Sequence, residues 1–573
     1  MSDNLTIFGT NYTGVTSIKA TGTGNGTLTY IRPQGSQSIT ENGTGIDVTN
    51  YASVDVNVAS SGGWNYQPKN DGLTHVWFDV TCPDLLRVGL WLNCSNYTNE
   101  YIDWGDGTID DNFQGLNTLS MHYHTYSSLG TYCVTLSSKF FIVNKTTTSG
   151  GVGSDPSVFL YSLMAVELAA NGVISQGFLA EYPVLKWVYY HDGTLSSSHN
   201  YDYELRYNPS LQYFRMAYNS TTPSTYKMGQ SAFRSDTNLI RVDNWDYVTR
   251  IGEDAFSGCS AFNPPSLPSA LTTIDAYAFQ DCTSLALTSL PSTVTSIGQY
   301  AFDGCESLAL TSLPSGITSI AQYTFRSCRS LALTSLPSGL TNISTYAFSS
   351  CRSIALTSLP SGVTSIGARA FYACYSLALT SLPSGITSIA EYTFQACLAM
   401  PLSSLPSGLT SIGQYAFNAC TSMTSISCTG NITTLGTYAF GGNVTYPSAL
   451  TRVDFPNMAV SSLTTVFGNA TASGACQFLA IADIGKTASL GSNAFANCYA
   501  LQTLVLRRDT AICNLTYATA FTNTPMAGYN NLTGTVYVPN SLINTYKTAT
   551  NWTTLYNNGT VTFVAIEGSP YEL

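Results

Sequence analysis

The chain has 573 residues, too many for one ordinary core, so several domains or a repeat array are expected. Hydrophobic residues make up 44% and charged residues only 10%, which excludes a disordered chain and leaves a polar surface of Ser, Thr, Asn, Tyr and Gly. The formal net charge of -11, with no basic run, excludes a nucleic-acid footprint.

Residues 1–59 are rich in Thr, Gly and Asn. Val54, Val56 and Val58 alternate as a half-buried strand, and Ser60-Ser61-Gly62-Gly63 reads as a flexible linker. The opening Met1-Ser-Asp-Asn-Leu-Thr-Ile-Phe-Gly9 has no basic region followed by an apolar one, so no secretory signal is expected. Nor is membrane insertion, since no stretch approaches the roughly 18 apolar residues of a span. This leader is similar to N-terminal segments of structural proteins from phages of gut bacteria. That likeness implies a virion-attachment segment.

Residues 64–150 form a second unit. Tyr101-Ile-Asp-Trp-Gly-Asp-Gly-Thr108 predicts two strands joined at Gly105-Asp106-Gly107, and Tyr132, Val134 and Leu136 alternate as one buried face. That segment and His124-Thr-Tyr-Ser-Ser-Leu-Gly-Thr-Tyr-Cys-Val-Thr-Leu136 resemble the two halves of a polycystic-kidney-disease (PKD) domain. The resemblance implies an immunoglobulin-like β-sandwich in which His124 is structural.

From about residue 151 self-similarity dominates. Cysteines recur every 23 residues at Cys259, Cys282, Cys305, Cys328, Cys351, Cys374, Cys397 and Cys420. A phenylalanine stands three before each, from Phe256 to Phe417, and an isoleucine five before each phenylalanine, from Ile251 to Ile412. One such unit is a coil that cannot bury its own apolar face, so stacking is required. Leu308 and Leu310 alternate with Ala309 and Thr311, predicting a short strand, and Pro314-Ser315-Gly316 predicts a turn. Phe325 and Cys328 are expected inward, one helical turn apart. Parallel strands about 4.8 Å apart would carry the eight regular coils over roughly 34 Å.

The pattern decays outward, as capping coils should. Phe233 keeps the phase while Asp236 replaces the cysteine. Ile174 to Phe178 and Leu185 mark an irregular earlier coil, Phe440 is followed by Asn443, and Phe495 and Cys498 restore the signature out of phase.

These units resemble the BspA-type leucine-rich repeat. The resemblance implies a solenoid over 151–533, closed by a capping segment at 534–573 with a strand and a helix carrying Trp552. The expected fold class is mainly β: a leucine-rich-repeat solenoid of 23-residue coils, preceded by a PKD/immunoglobulin-like sandwich and a short β-rich N-terminal segment.

Chemistry has little to stand on. The cysteine ladder reads as core filler before disulfides or metal ligands, because no histidine falls in 200–573. Asp103, Asp106 and Asp110 suit turn capping better than calcium. No catalytic residue, metal or cofactor is expected. The surface feature is a column two residues before each phenylalanine: Tyr277, Tyr300, Tyr323, Tyr346, Arg369, Tyr392 and Tyr415, with Tyr438 beyond. Its rings either contact a ligand or simply cover one another along the stack.

The resulting expectation is a phage virion protein, a head or tail fibre or spike, assembled in the host cytoplasm and released by lysis. Virion proteins would hold residues 1–59, and a bacterial surface glycan or protein would meet the solenoid. Homo-oligomerisation is left open. The alternative is a bacterial cell-surface adhesin.

Overall fold

The structure, a computed structural model, describes residues 205–216, 226–443, 445–469 and 474–573. Upstream it describes 101–111, 120–128, 130–136, 185–190 and the strands named below. Two compact units divide the chain after Leu73. In the first, Asp3–Ile7 pairs antiparallel with Thr10–Val15, and Ser17–Thr21, Thr27–Arg32 and Gly35–Thr40 form an antiparallel meander. The expected strand at 54–58 and the linker at 60–63 lie outside the described residues.

The second unit opens with two antiparallel sheets. Thr74–Val80 pairs with Gly130–Leu136, which also pairs with Ile102–Asp103, itself in a hairpin with Ile109–Asp110. Arg87–Cys94 lies between Ser120–Thr125 and Phe140–Ile142 in the other sheet. Gly105 and Gly107 turn the hairpin with φ of +79° and +93°. A Cβ on Gly105 would stand 2.4 Å from the Cys133 carbonyl oxygen, so only glycine fits there. Val134 and Leu136 are buried as expected, while Tyr132 is only half-buried; Ile102 and Trp104 are buried as well.

The sheet does not stop near residue 150. Leu163–Leu168 pairs antiparallel with Thr74–Val80, and Trp187–Tyr190, Tyr213–Arg215 and Arg241–Asp243 then add in parallel. Eight strands thus form one sheet that joins these antiparallel strands to the first coils. The strand Thr74–Val80 with its neighbours thereby covers what would otherwise be an open solenoid edge. Residues 174–178 lie outside the described residues, while Leu185 is buried.

Beyond this junction the chain is a β-solenoid of about 14 turns. Its core is a single ladder of aromatic rings. It starts at Phe214 and Phe233, passes through the eight regular coils, and continues through Phe440, Phe467, Phe495 and Phe521 to Trp552. Neighbouring centroids lie 5.0 to 5.8 Å apart. Ile251 to Ile412 and Cys259 to Cys420 are buried beside it.

Two local expectations are corrected. The regular coils pair not at Leu308–Thr311 but at the Ser-Ile step, as in Ser319–Ile320 with Asn342–Ile343 and Ser365–Ile366. The reason lies in the side-chain pattern. Leu310 and Leu313 are both buried with Thr311 and Ser312 exposed between them, so the two-residue alternation slips and the chain bends. Bonds recur from coil to coil here, such as Ala309 N–H to the Leu287 carbonyl at 3.1 Å, without making a paired strand. Where alternation holds, with Ile426 and Cys428 inward, Ser425–Ser427 begins a six-stranded parallel sheet.

The second correction concerns Phe325 and Cys328. Both are buried, and Cys328 N–H donates to the Phe325 carbonyl (3.2 Å), but the segment is a run of turns rather than helix. Tyr323 and Ser327 are left-handed, at φ +58° and +61°. In this alternating backbone Tyr323, Phe325 and Ser327 all donate to the next coil, at 3.1, 2.9 and 2.8 Å. That inter-coil ladder offsets the steric cost of positive φ at non-glycine residues.

The far end closes with Gly534–Val538, the short helices Ile543–Thr548 and Trp552–Asn557, and a further parallel strand, Val561–Ala565. Trp552 is buried and donates Nε1–H to the Cys513 carbonyl at 2.8 Å. Among the described residues no helix is long and apolar enough to cross a membrane.

Candidate functional site

All seven residues singled out in the tyrosine column fall on one line, one per coil, and Tyr438 extends it. Each sits at φ between +54° and +59°, so each side chain leaves its turn in the same direction. The rings are half-buried and stacked in two runs. Tyr277, Tyr300, Tyr323 and Tyr346 form one, and Tyr392, Tyr415 and Tyr438 the other, with centroids 4.5 to 4.9 Å apart.

Arg369 bridges the runs. Its guanidinium lies 5.3 Å from the Tyr346 ring and 4.3 Å from the Tyr392 ring, and it donates to the Tyr346 hydroxyl at 2.5 Å. The ring faces are therefore occupied by neighbouring rings or by Arg369. What the ribbon offers is its outer edge, a row of hydroxyls. Burial among neighbouring tyrosines pushes the Tyr323 and Tyr415 hydroxyls above their ordinary pKa, so they stay protonated donors.

Beside the ribbon Arg326 makes a bidentate pair with buried Asp303, at 2.7 Å for each bond, and lies 4.9 Å over the Tyr323 ring. Burial and the neighbouring Asp303 together raise the pKa of Asp281. Farther round the turn Arg329 pairs with Glu306 at 3.2 Å. Arg352 lies 5.4 Å over the Tyr375 ring, and Tyr375 in turn meets Tyr446 at 6.3 Å. The reach of Tyr446 back to Tyr375 carries no period in the sequence, because it comes from a turn that interrupts the repeat. In that turn Asn443 Oδ1 accepts from Thr445 and Tyr446 N–H.

The cysteines are buried, and they do more than fill space. Each regular Sγ–H donates to the carbonyl of the preceding coil's phenylalanine, at 2.9 to 3.2 Å. Those from Cys259 to Cys498 are free thiols, and burial pushes their pKa up, to about 12 at Cys420 and Cys476. Asp236, which stands at the cysteine position one coil earlier, is fully buried and its carboxyl is raised well above the ordinary range by burial. Its Oδ1 accepts from Asn208 N–H at 2.6 Å, while Oδ2 has no partner among the described residues.

The remaining candidates are engaged locally. Asp103 Oδ1 accepts from Gly105 N–H, Asp106 Oδ1 from Thr108 N–H and hydroxyl, and Asp110 Oδ2 from the Trp104 indole. These are turn caps. His124 stacks on Trp104 at 5.0 Å and meets Asp106 Oδ2 at 2.7 Å. Hydrogen bonding to Thr108 and His124 holds the Asp106 carboxyl below its ordinary pKa, against a desolvation that is the largest single effect and acts upward. Among the described residues no group of three His, Cys, Asp or Glu side chains could hold a metal ion. Sequence reasoning missed the Asp483–Arg507 pair (2.6 Å), which is nearly buried on the outer side of the six-stranded sheet.

Residues 226–355 and 341–472 match the BspA type leucine rich repeat region, in six copies. The repeat block is a leucine-rich-repeat solenoid. Among solved structures, the chain is similar to a leucine rich cell surface protein from Faecalibacterium prausnitzii. The identity is 24%, over 58% of this chain and 89% of that one, with a TM-score of 0.35. A leucine-rich repeat protein from Bacteroides ovatus is 21% identical over 62% of this chain and 84% of that one, with a TM-score of 0.41. The pneumococcal vaccine antigen PcpA is 12% identical over 75% and 86%, with a TM-score of 0.28. No curated protein matches.

Proposed function

We propose that this chain is a non-enzymatic adhesin of the bacterial cell surface, binding a surface glycan or protein through the turn side of its solenoid. The observation that carries the reading is the tyrosine ribbon. Coil after coil presents a hydroxyl from a side chain whose ring is fixed by its neighbours and whose backbone is bonded to the next coil. Such a row costs little ordering entropy on contact and repeats a weak interaction many times. We place the protein on a cell surface rather than in a virion because the virion setting draws on residues 1–59. The binding surface belongs to the BspA-type repeat instead.

The test uses the full chain on a panel of intact bacteria and their wall polysaccharides. Replacing Tyr300, Tyr323 and Tyr346 together by Phe keeps the stack and deletes three hydroxyls. Adhesion should fall about tenfold or more while the melting temperature holds. Undiminished adhesion would move the binding surface elsewhere, and no adhesion by the unaltered chain would end the reading.

A further inference from the structure

Between Glu306 and Glu391 the chain carries four arginines, Arg326, Arg329, Arg352 and Arg369, and no acidic residue, although its net charge is -11. The structure divides the four. Arg326 and Arg329 are each neutralised by an acid one coil earlier, Asp303 and Glu306. Arg352 and Arg369, in the next two coils, form no ion pair among the described residues. Glu391 is exposed and pairs with neither; only its backbone carbonyl accepts from Arg369 N–H, at 3.1 Å.

Both free guanidinium groups are held in place by tyrosine rings, Arg369 between Tyr346 and Tyr392 and Arg352 over Tyr375. This is also where the array departs from its own rule. Arg369 stands in a column of tyrosines, and Tyr375 in a column otherwise held by Ser, Thr, Glu, Arg and Leu.

A guanidinium fixed on aromatic rings, with its charge uncompensated, is arranged for a planar anion that takes two parallel hydrogen bonds. The surroundings define what carries that anion. The surface is hydroxyl- and amide-rich, and an acidic chain repels a dense polyanion such as nucleic acid over a distance. A polymer with at most one carboxylate per sugar, among many hydroxyls, fits both conditions, its charge being sparser than the one per about 1.7 Å of duplex nucleic acid. We propose that Arg352, held over Tyr375, and Arg369, held between Tyr346 and Tyr392, are charged contacts of the solenoid with a carboxylate-bearing polysaccharide. The proposal rests on the adhesin reading above and names its ligand class.

The experiment measures binding of the full chain to immobilised polygalacturonate, alginate and hyaluronan, and to methyl-esterified polygalacturonate. At least one free acid should bind about tenfold or more tighter than the ester, with affinity falling as salt rises. In the double variant Arg352→Gln, Arg369→Tyr that preference should vanish. Arg369→Tyr extends the chain's own column, so the melting temperature should hold. Arg329→Gln, at an arginine already paired, should change binding less than about threefold.

Equal binding of acid and ester, an unaffected double variant, or no binding to any of the three acids would overturn the proposal. So would equally tight binding to poly-glutamate, which would make the partner an acidic protein. Cell adhesion separates the two levels. A double variant that adheres like the unaltered chain removes the anion site and leaves the adhesin. If neither chain adheres, the adhesin reading itself falls.

Discussion

The thiol of Cys305 donates to the carbonyl oxygen of Phe279, one coil earlier, at 3.0 Å. The same bond recurs from Cys259 to Cys420, so the cysteine column ties each coil to the one before it while lying in the apolar core. A small side chain that is apolar in bulk and still a donor meets both demands.

Cys305→Ala should therefore lose the thiol bond as well as volume, while the buried Phe279 carbonyl keeps its bond from Cys282 N–H at 3.1 Å. A loss of about 0.5–1.5 kcal/mol beyond the volume change is expected from chemical denaturation. Cys305→Ser, which keeps a donor, should lose less. Equal losses would mean that the bond contributes nothing.

The ladder thiols should resist alkylation at pH 8 in the native chain, since burial raises their pKa, to about 12 at Cys420. Mass spectrometry after iodoacetamide treatment should find them unlabelled until the chain is unfolded. A disulfide between Cys305 and Cys328 in non-reducing peptide maps would contradict this.

Phe325→Ala should cost roughly 3–5 kcal/mol. Its ring has Phe302 and Phe348 at 5.5 Å on either side, so the cavity interrupts the stack in both directions. Hydrogen exchange should quicken first in the coils around residue 325. A loss below about 1 kcal/mol would mean that the coils collapse onto the gap.

Asp236 sets a pH dependence at the start of the array. Its folded carboxyl holds a proton more tightly than the unfolded one, because burial disfavours the charge. Stability from this group is thus full below the unfolded pKa, about 4, and declines as pH rises above it, toward the raised folded pKa. Asp236→Cys, which continues the ladder, should flatten that slope and stabilise the chain near pH 7 by about 1–3 kcal/mol. Thermal melts at pH 5 and pH 8 measure both effects, and an unchanged slope would show that Asp236 is not the source.

Gly105→Ala should destabilise the hairpin of Ile102–Asp103 with Ile109–Asp110, and its sheet, by about 1 kcal/mol or more, because φ is +79° and the new Cβ meets the Cys133 carbonyl. Trp104, one residue away and buried, reports the change by near-ultraviolet circular dichroism.

The solenoid, its 23-residue period and its inward columns are legible in the residue order. Each repeat places the same residue in the same surroundings, so Phe, Cys and Ile recur wherever the core demands them. The residue order also placed the Gly105 turn and the tyrosine column, which depend on neighbours within a few residues. Tertiary structure alone decided whatever joins residues far apart in the chain. The strand Thr74–Val80 joins Leu163–Leu168 in one sheet, and Phe467 and Phe521 continue the ring ladder after the cysteine spacing is lost. The thiol bond to a residue 26 positions earlier is likewise invisible to local pattern. So is the contact of Tyr446 with Tyr375, because only the packing of the interrupting turn sets which side chains meet.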